Sequence, residues 1–271
     1  MDNRPIGIFD SGIGGLTVFS EIKKQLPEEN LIYLGDTKRV PYGDKSKETI
    51  IEFSRQCTSF LIQKNVKCII IACGTATSQA LNVLTQEFPI PILGIISPTV
   101  SYLKSKIEKD VTLKVGVIAT KGTIRSSQWE KQISQNMDAQ VFNKACPLLA
   151  PMAEEGWIQN EASIFAIHEY LKDLKQKEIS HLILGCTHFP LFTNLIQKEM
   201  GNDVELINTG EKVADYLKIL LSEKNISNSS FQKDHDLFYF TDMEPEFISS
   251  AHLLFKNQNI NLSHAQKAII D

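Results

Sequence analysis

The sequence predicts an α/β protein of two pseudo-symmetric, doubly wound halves, with mainly parallel sheets facing one cleft. Three observations carry that expectation. Runs such as KCIIIACG and SHLILGC are too continuously apolar to alternate, so each reads as a strand covered on both faces. Segments with helical spacing follow such runs repeatedly, which is the order of a parallel sheet wound with helices. Two of the strands also end alike: a small residue (Ala72, Gly185), then a cysteine (Cys73, Cys186), then a threonine within two places (Thr75, Thr187).

Pro5 to Asp10 reads as the first buried strand, with SGIGG as a tight turn after it. Phe19, Ile22 and Leu26 then fall at helical intervals until Pro27 stops the pattern. Glycines between a strand and a helix suggest a phosphate cradle. However, Thr17 stands where a G-x-G-x-x-G fingerprint needs its third glycine, and there is no G-K-[ST] for a Walker A loop. Such a turn of backbone amides can equally hold a carboxylate. Asp10, at the strand end, is either a turn residue or a catalytic carboxylate.

Leu31 to Leu34 is a short second strand, followed by GDTKRVPYGDKS, a turn-rich loop containing Pro41, Tyr42 and Gly43. Loops of this kind carry function more often than core positions do. Ile50, Phe53, Cys57 and Phe60 share a helical face that leads into the first cysteine strand. A helix is expected after Cys73, then PIPILGII as a strand, a helix from Ser97-Pro98, and a polar turn near Lys109 opening the second half. LKVGVIATKGTI resembles the chain's own start: Gly116 stands 109 places after Gly7, Thr120 matches Ser11 at the same offset, and the two cysteines are 113 apart.

In the second half Glu154 and Glu155 fall in a helical stretch, where a charged pair is normally solvated. Glu161 to Lys177 reads as an amphipathic helix with Ile164, Ile167, Tyr170, Leu171 and Leu174 inward. Ser222 to Asp236 is the most loop-like stretch, before a final strand, LFYF, and a last helix.

The 271 residues suffice for one large or two modest domains. A 42% hydrophobic and 22% charged composition is that of an ordinary soluble globule, and a net charge of −4 without a basic stripe argues against nucleic acid. No apolar run approaches the roughly 18 residues of a membrane span, and the start leaves no room for a signal peptide. A cytoplasmic enzyme or binding protein is the expectation. None of Cys57, Cys68, Cys73, Cys146 and Cys186 forms a Cys-x-x-Cys pair, so no metal is expected. Cys68 and Cys73 are an odd step apart and should face opposite ways. Ligands bind outside the carboxyl ends of parallel strands, so Cys73 and Cys186 would flank one site. A thiol on either side of a site suits two-base proton transfer.

IGIFDSGIGGLTV, LIYLGDTKRVPYGDKS, IIACGTATS and LILGCTHFPL together resemble bacterial glutamate racemase, in order and over nearly the whole chain. The resemblance implies a first α/β domain of residues 1–97 plus 208–271, with a second, 98–207, inserted in it. It implies racemisation of glutamate without pyridoxal phosphate or any other cofactor, feeding peptidoglycan synthesis, and a homodimer. By the same likeness Cys73 and Cys186 are the acid/base thiols, assisted by Asp10, His188 and Glu154. Substrate contacts would come from Asp10, Ser11, Pro41, Tyr42, Gly43, Gly74, Thr75, Thr120, Thr187 and His188. The chain departs from the family at Gly74, where the family usually has an asparagine that contacts substrate.

An unperturbed thiol has a pKa of about 8.5, so neighbours must help the proton move. Asp10 beside Cys73 and His188 beside Cys186 would do this. Hydroxyls and backbone amides would hold the carboxylates and the charge developing at Cα. Three alternatives stay open. An aspartate or hydantoin racemase would keep both thiols and change the substrate contacts; a thiol-redox protein would join them as a disulfide; a racemase-derived binding protein would have lost turnover.

Overall fold

The computed structural model describes residues 2–106, 112–228, 236–244, 251–252, 254–255 and 260–270. Its strands in chain order are β1 (Ile6–Asp10), β2 (Leu31–Gly35), β3 (Cys68–Ile71), β4 (Ile92–Gly94) and β5 (Leu113–Ala119), then β6 (Ala139–Ala145), β7 (His181–Leu184), β8 (Glu205–Asn208), β9 (Leu237–Phe240) and β10 (Gln266–Lys267). The helices are α1 (Leu16–Gln25), α2 (Lys47–Gln63), α3 (Gly74–Glu87), α4 (Ile96–Ser105) and α5 (Lys121–Arg125), then α6 (Gln128–Asn136), α7 (Leu149–Glu154), α8 (Glu161–Lys175), α9 (Thr193–Met200) and α10 (Thr209–Glu223).

Two sheets result, ordered β10-β9-β2-β1-β3-β4 and β6-β5-β7-β8. Every pairing among them is parallel. The run β2-β1-β3-β4 and the run β6-β5-β7-β8 have the same winding, so β3 and β7, the cysteine strands, are equivalent. Gly7 and Gly116 repeat one packing solution in the two first strands. A Cβ at Gly7 would meet Val66 Cγ1 at 3.2 Å, and one at Gly116 would meet Ile179 Cδ1 at 2.5 Å. Val66 and Ile179 each sit just before the cysteine strand, so both glycines admit the joint that leads into it.

Side-chain alternation divides the core. Ile6, Ile8, Cys68 and Ile70 join an apolar cluster that also takes Val115, Val117, Trp129 and Ile183 of the second half, with Leu16, Val100, Val213 and Leu217 from α1, α4 and α10. Phe9, Ile69, Ile71 and Cys73 face the other way, onto α2 and α3. Cys68 and Cys73 thus belong to opposite faces, as their odd spacing requires. The outer face of the second sheet packs on α7, α8 and α9. One core cluster therefore runs through both halves and holds the two cysteine strand ends in register.

Four expectations change. Ile164 is 51% exposed, not inward. The inward stripe of α8 starts at Ser163, whose hydroxyl donates to the Trp157 carbonyl, and continues through Ile167, Leu171 and Leu174. The strand read in PIPILGII is only three residues, because α4 begins at Ile96. The loop from Ser222 begins later, since α10 continues to Glu223. Short β10 was not foreseen, being too brief to show a period. The polar turn near Lys109 and most of the last helix lie outside the described residues.

Candidate active site

Both cysteines open the segment after their strand. Cys73 caps α3: its Sγ accepts the Ala76 N–H at 3.4 Å and lies 3.7 Å from Ser11 Oγ, to which it donates. Burial pushes the Cys73 thiol up to about 12, and the nearby Asp10 carboxylate adds to that rise. Cys73 therefore rests as a thiol at neutral pH. Cys186 Sγ lies 3.9 Å from His188 Nδ1. On the far side of that ring, Nε2 comes within 3.1 Å of Glu154 Oε1, an ion-pair approach without hydrogen-bond alignment. Burial opposes a charge on His188, but Cys186 and Glu154 outweigh it and raise the imidazole to about 10. His188 is thus a cation set against the Cys186 sulfur.

Asp10 occupies a different place from the one expected. It is fully buried and does not line the cavity, whose wall there is Ser11 and Cys73. Its Oδ2 accepts the N–H groups of Gly12 and Gly15, both at 3.1 Å, and its Oδ1 accepts the Thr187 hydroxyl at 3.5 Å. The amides of the glycine turn thus hold the chain's own carboxylate. Burial still pushes the Asp10 carboxyl up, against the pull of His188 and of those amides. The glycines serve close packing, across the halves at Gly14 and within the first half at Gly15. A Cβ at Gly14 would lie 2.5 Å from Thr187 Oγ1 and from His188 Cε1, and one at Gly15 would lie 2.5 Å from Asp10 Cβ. Thr17 Oγ1 adds a direct bond to the Thr187 carbonyl at 2.8 Å.

The loop after β2 supplies the rim. Val40 and Pro41 are exposed, whereas Tyr42 and Gly43 are buried. Tyr42 donates its hydroxyl to Asp36, whose carboxylate also accepts Arg39 Nε at 2.6 Å and Thr241 Oγ1 at 2.9 Å. Gly43 meets the second half: a Cβ at Gly122 would lie 2.7 Å from the Gly43 carbonyl oxygen.

These parts enclose a cavity of about 170 Å³ lined by both thiols. Drug-sized ligand sites are larger, roughly 300–1,000 Å³, so this one suits a single small metabolite. Ser11, Pro41, Tyr42, Gly43, Gly74, Thr75, Thr120, Glu154, Thr187 and His188 all line it, and only Asp10 of the expected contacts does not. No Lys or Arg is among the lining residues, so anionic groups would be met by hydroxyls, amides and the His188 imidazolium. Sequence reading missed Val40, Thr123, Ala150, Pro151 and Gly185. Of these, only Thr123 carried a signal, lying three places after Thr120 as a cap partner does. Its Oγ1 is 2.9 Å from Thr120 Oγ1 and 3.2 Å from Thr75 Oγ1, which are themselves 2.9 Å apart. That triangle of hydroxyls joins the two halves across the cavity.

Residues 6–217 match the model of the Asp/Glu/hydantoin racemase family. The chain belongs to that family. This racemase is 43% identical over 264 residues to a glutamate racemase of Sulfurihydrogenibium sp., covering 96% of this chain and 98% of that one. It is 41% identical over 267 residues to a glutamate racemase of Lactococcus lactis subsp. cremoris, covering 98% and 97%. Its structure is similar to that of glutamate racemase from Francisella tularensis in complex with D-glutamate, with a TM-score of 0.90 and 36% identity over 100% of this chain and 99% of that one. Among the described residues, no helix is long and apolar enough to cross a membrane.

Proposed function

We propose that this racemase interconverts L- and D-glutamate with Cys73 and Cys186 as the two acid/base groups, one on each face of Cα. The observation that carries the reading is a single small cavity flanked by thiols from equivalent strand ends. In one direction the Cys186 sulfur, which lies beside the His188 imidazolium, acts as the base and removes the Cα proton. Cys73, resting as a thiol, returns a proton to the opposite face, and its sulfur takes up the negative charge. The reverse direction exchanges the roles. Ser11, Thr75, Thr120 and Thr187 would bind the carboxylates, while backbone amides would meet the charge that develops on the α-carboxylate. Glu154 would keep the proton on His188, and Asp10 would hold Thr187 and the glycine turn in place. The same likeness supports a division at residues 1–97 plus 208–271 and 98–207, a homodimer, and a cytoplasmic supply of D-glutamate to the cell wall.

Incubation with L-glutamate in deuterated water, without added cofactor, should yield D-glutamate carrying deuterium at Cα. Cys73→Ser and Cys186→Ser should each lower inversion by about 10²–10⁴-fold, the range for loss of one positioned acid/base group. Either variant turning over within about tenfold of wild type would remove the two-thiol mechanism.

A further inference from the structure

The loop that forms the cavity rim is anchored by a strand outside the segment that the family model covers. That model matches residues 6–217, and β9 lies beyond them. β9 pairs with β2 in parallel, Gly35 opposite Phe240, so Asp36 and Thr241 are the next residues out of the sheet. Both are buried. The Thr241 hydroxyl works in two directions: Oγ1 donates to Asp36 Oδ1 and accepts the Lys38 N–H, both at 2.9 Å. Beside it, Thr37 Oγ1 donates to the Asp242 carbonyl at 2.6 Å and accepts the Asp242 N–H at 2.8 Å. Asp36 passes this anchorage on, because its other oxygen accepts Arg39 Nε and the hydroxyl of Tyr42, which lines the cavity. On its far side the loop is just as confined. A Cβ on Gly43 would stand 3.0 Å from Thr120 Cβ of the second half.

We propose that Thr241 is a positioning residue for substrate binding, holding the rim of Pro41, Tyr42 and Gly43 in place through Asp36. This rests on the proposed function. Without the hydroxyl, Asp36 Oδ1 and the Lys38 N–H lose this partner, and a buried polar group left unpaired costs more than the bond it made. Turning those groups towards water relieves the cost and draws the rim away from Thr120. The two thiols follow β3 and β7 and do not belong to this loop. Substrate contacts therefore loosen while proton transfer within the bound complex continues. The expected failure is one of binding, not of chemistry.

Thr241→Val keeps the shape of the side chain and removes its hydroxyl. KM for L- and D-glutamate should rise by about tenfold, with kcat within about threefold of wild type. Thr241→Ser retains the hydroxyl and should bring KM back to within about threefold of wild type. Hydrogen exchange locates the change: amides of residues 36–45 should exchange faster in Thr241→Val, while β1, β3 and β7 stay as protected as in wild type. A loss in kcat with KM unchanged overturns the proposal. So do kinetics that do not move, a Ser variant as impaired as the Val variant, and exchange raised throughout the chain. Should Thr241→Val fail to fold, Thr37→Val loosens the same joint at a half-buried position. It should raise KM by about 2- to 5-fold, and an unchanged KM there overturns the proposal. Wild type that does not turn over glutamate overturns the proposed function instead. Exchange over residues 36–45 then judges the anchor alone, faster exchange in the variant supporting it and unchanged exchange overturning it.

Discussion

The surroundings of Cys73 and Cys186 differ more than their matching strands suggest. Cys73 sits at a helix start with an amide and a hydroxyl around its sulfur, and burial keeps it a thiol. Cys186 faces a buried imidazolium that Glu154 supports from behind. Equivalent backbone positions thus hold one sulfur between an amide and a hydroxyl and one beside a cation. A symmetric reaction does not need symmetric resting states. It needs one filled and one empty proton site, with the occupancy exchanged at each turnover.

The sharpest way to break that comparison is at the assisting residues. His188→Asn removes the cation that touches a reacting sulfur, and kcat should fall about 10²–10⁴-fold. Asp10→Asn alters a group that does not line the cavity, and kcat should fall only about tenfold, nearer the worth of one hydrogen bond to a charged group. L- and D-glutamate have equal free energies, so each variant must lower kcat/KM equally in both directions. Steady-state kinetics on both enantiomers checks this. An Asp10→Asn loss exceeding that of His188→Asn would reverse the assignment.

The second test is the alkaline limb of the pH profile. Folded His188 keeps its proton to about 10, whereas an unperturbed histidine loses it near 6.5. Its contribution to stability is therefore full below about 6.5 and is lost as pH rises through about 10. Activity that depends on the imidazolium should fall over the upper end of that window. Glu154→Gln removes one of the two groups that hold the proton. Because Glu154 is part-exposed, the limb should move to lower pH by only about one pH unit. An unmoved limb would show that Cys186 alone sets the charge of His188.

The smallest effect is expected at Thr123. Thr123→Val keeps the shape and removes one corner of the hydroxyl triangle, so KM should rise by about 2- to 13-fold with kcat nearly unchanged. Thr123→Ser should restore it. Equal loss in both variants would mean that the methyl packing matters and the hydroxyl does not.

Much of this arrangement was legible before folding. Continuous apolar runs marked β1, β3 and β7, because strands covered on both faces cannot alternate. The repeated strand-cysteine-threonine order placed the two thiols at equivalent carboxyl ends. What could not be read is wherever a residue's meaning depends on a neighbour far away in sequence. The glycine turn reads as amides able to hold a carboxylate, but only folding shows Thr187, His188 and Asp10 filling the space beside Gly14 and Gly15. Asp10 is expected from sequence to touch substrate, and the structure buries it off the cavity wall, where it accepts the amides of the turn. Gly74 looked like a lost ligand, and only the structure shows the Gly185 carbonyl standing 2.4 Å from where its Cβ would be. Local sequence fixes periodicity and backbone freedom, which decide strands, helices and turns. Distances between the halves are decided by packing, which in this protein brings both cysteines to the wall of one cavity.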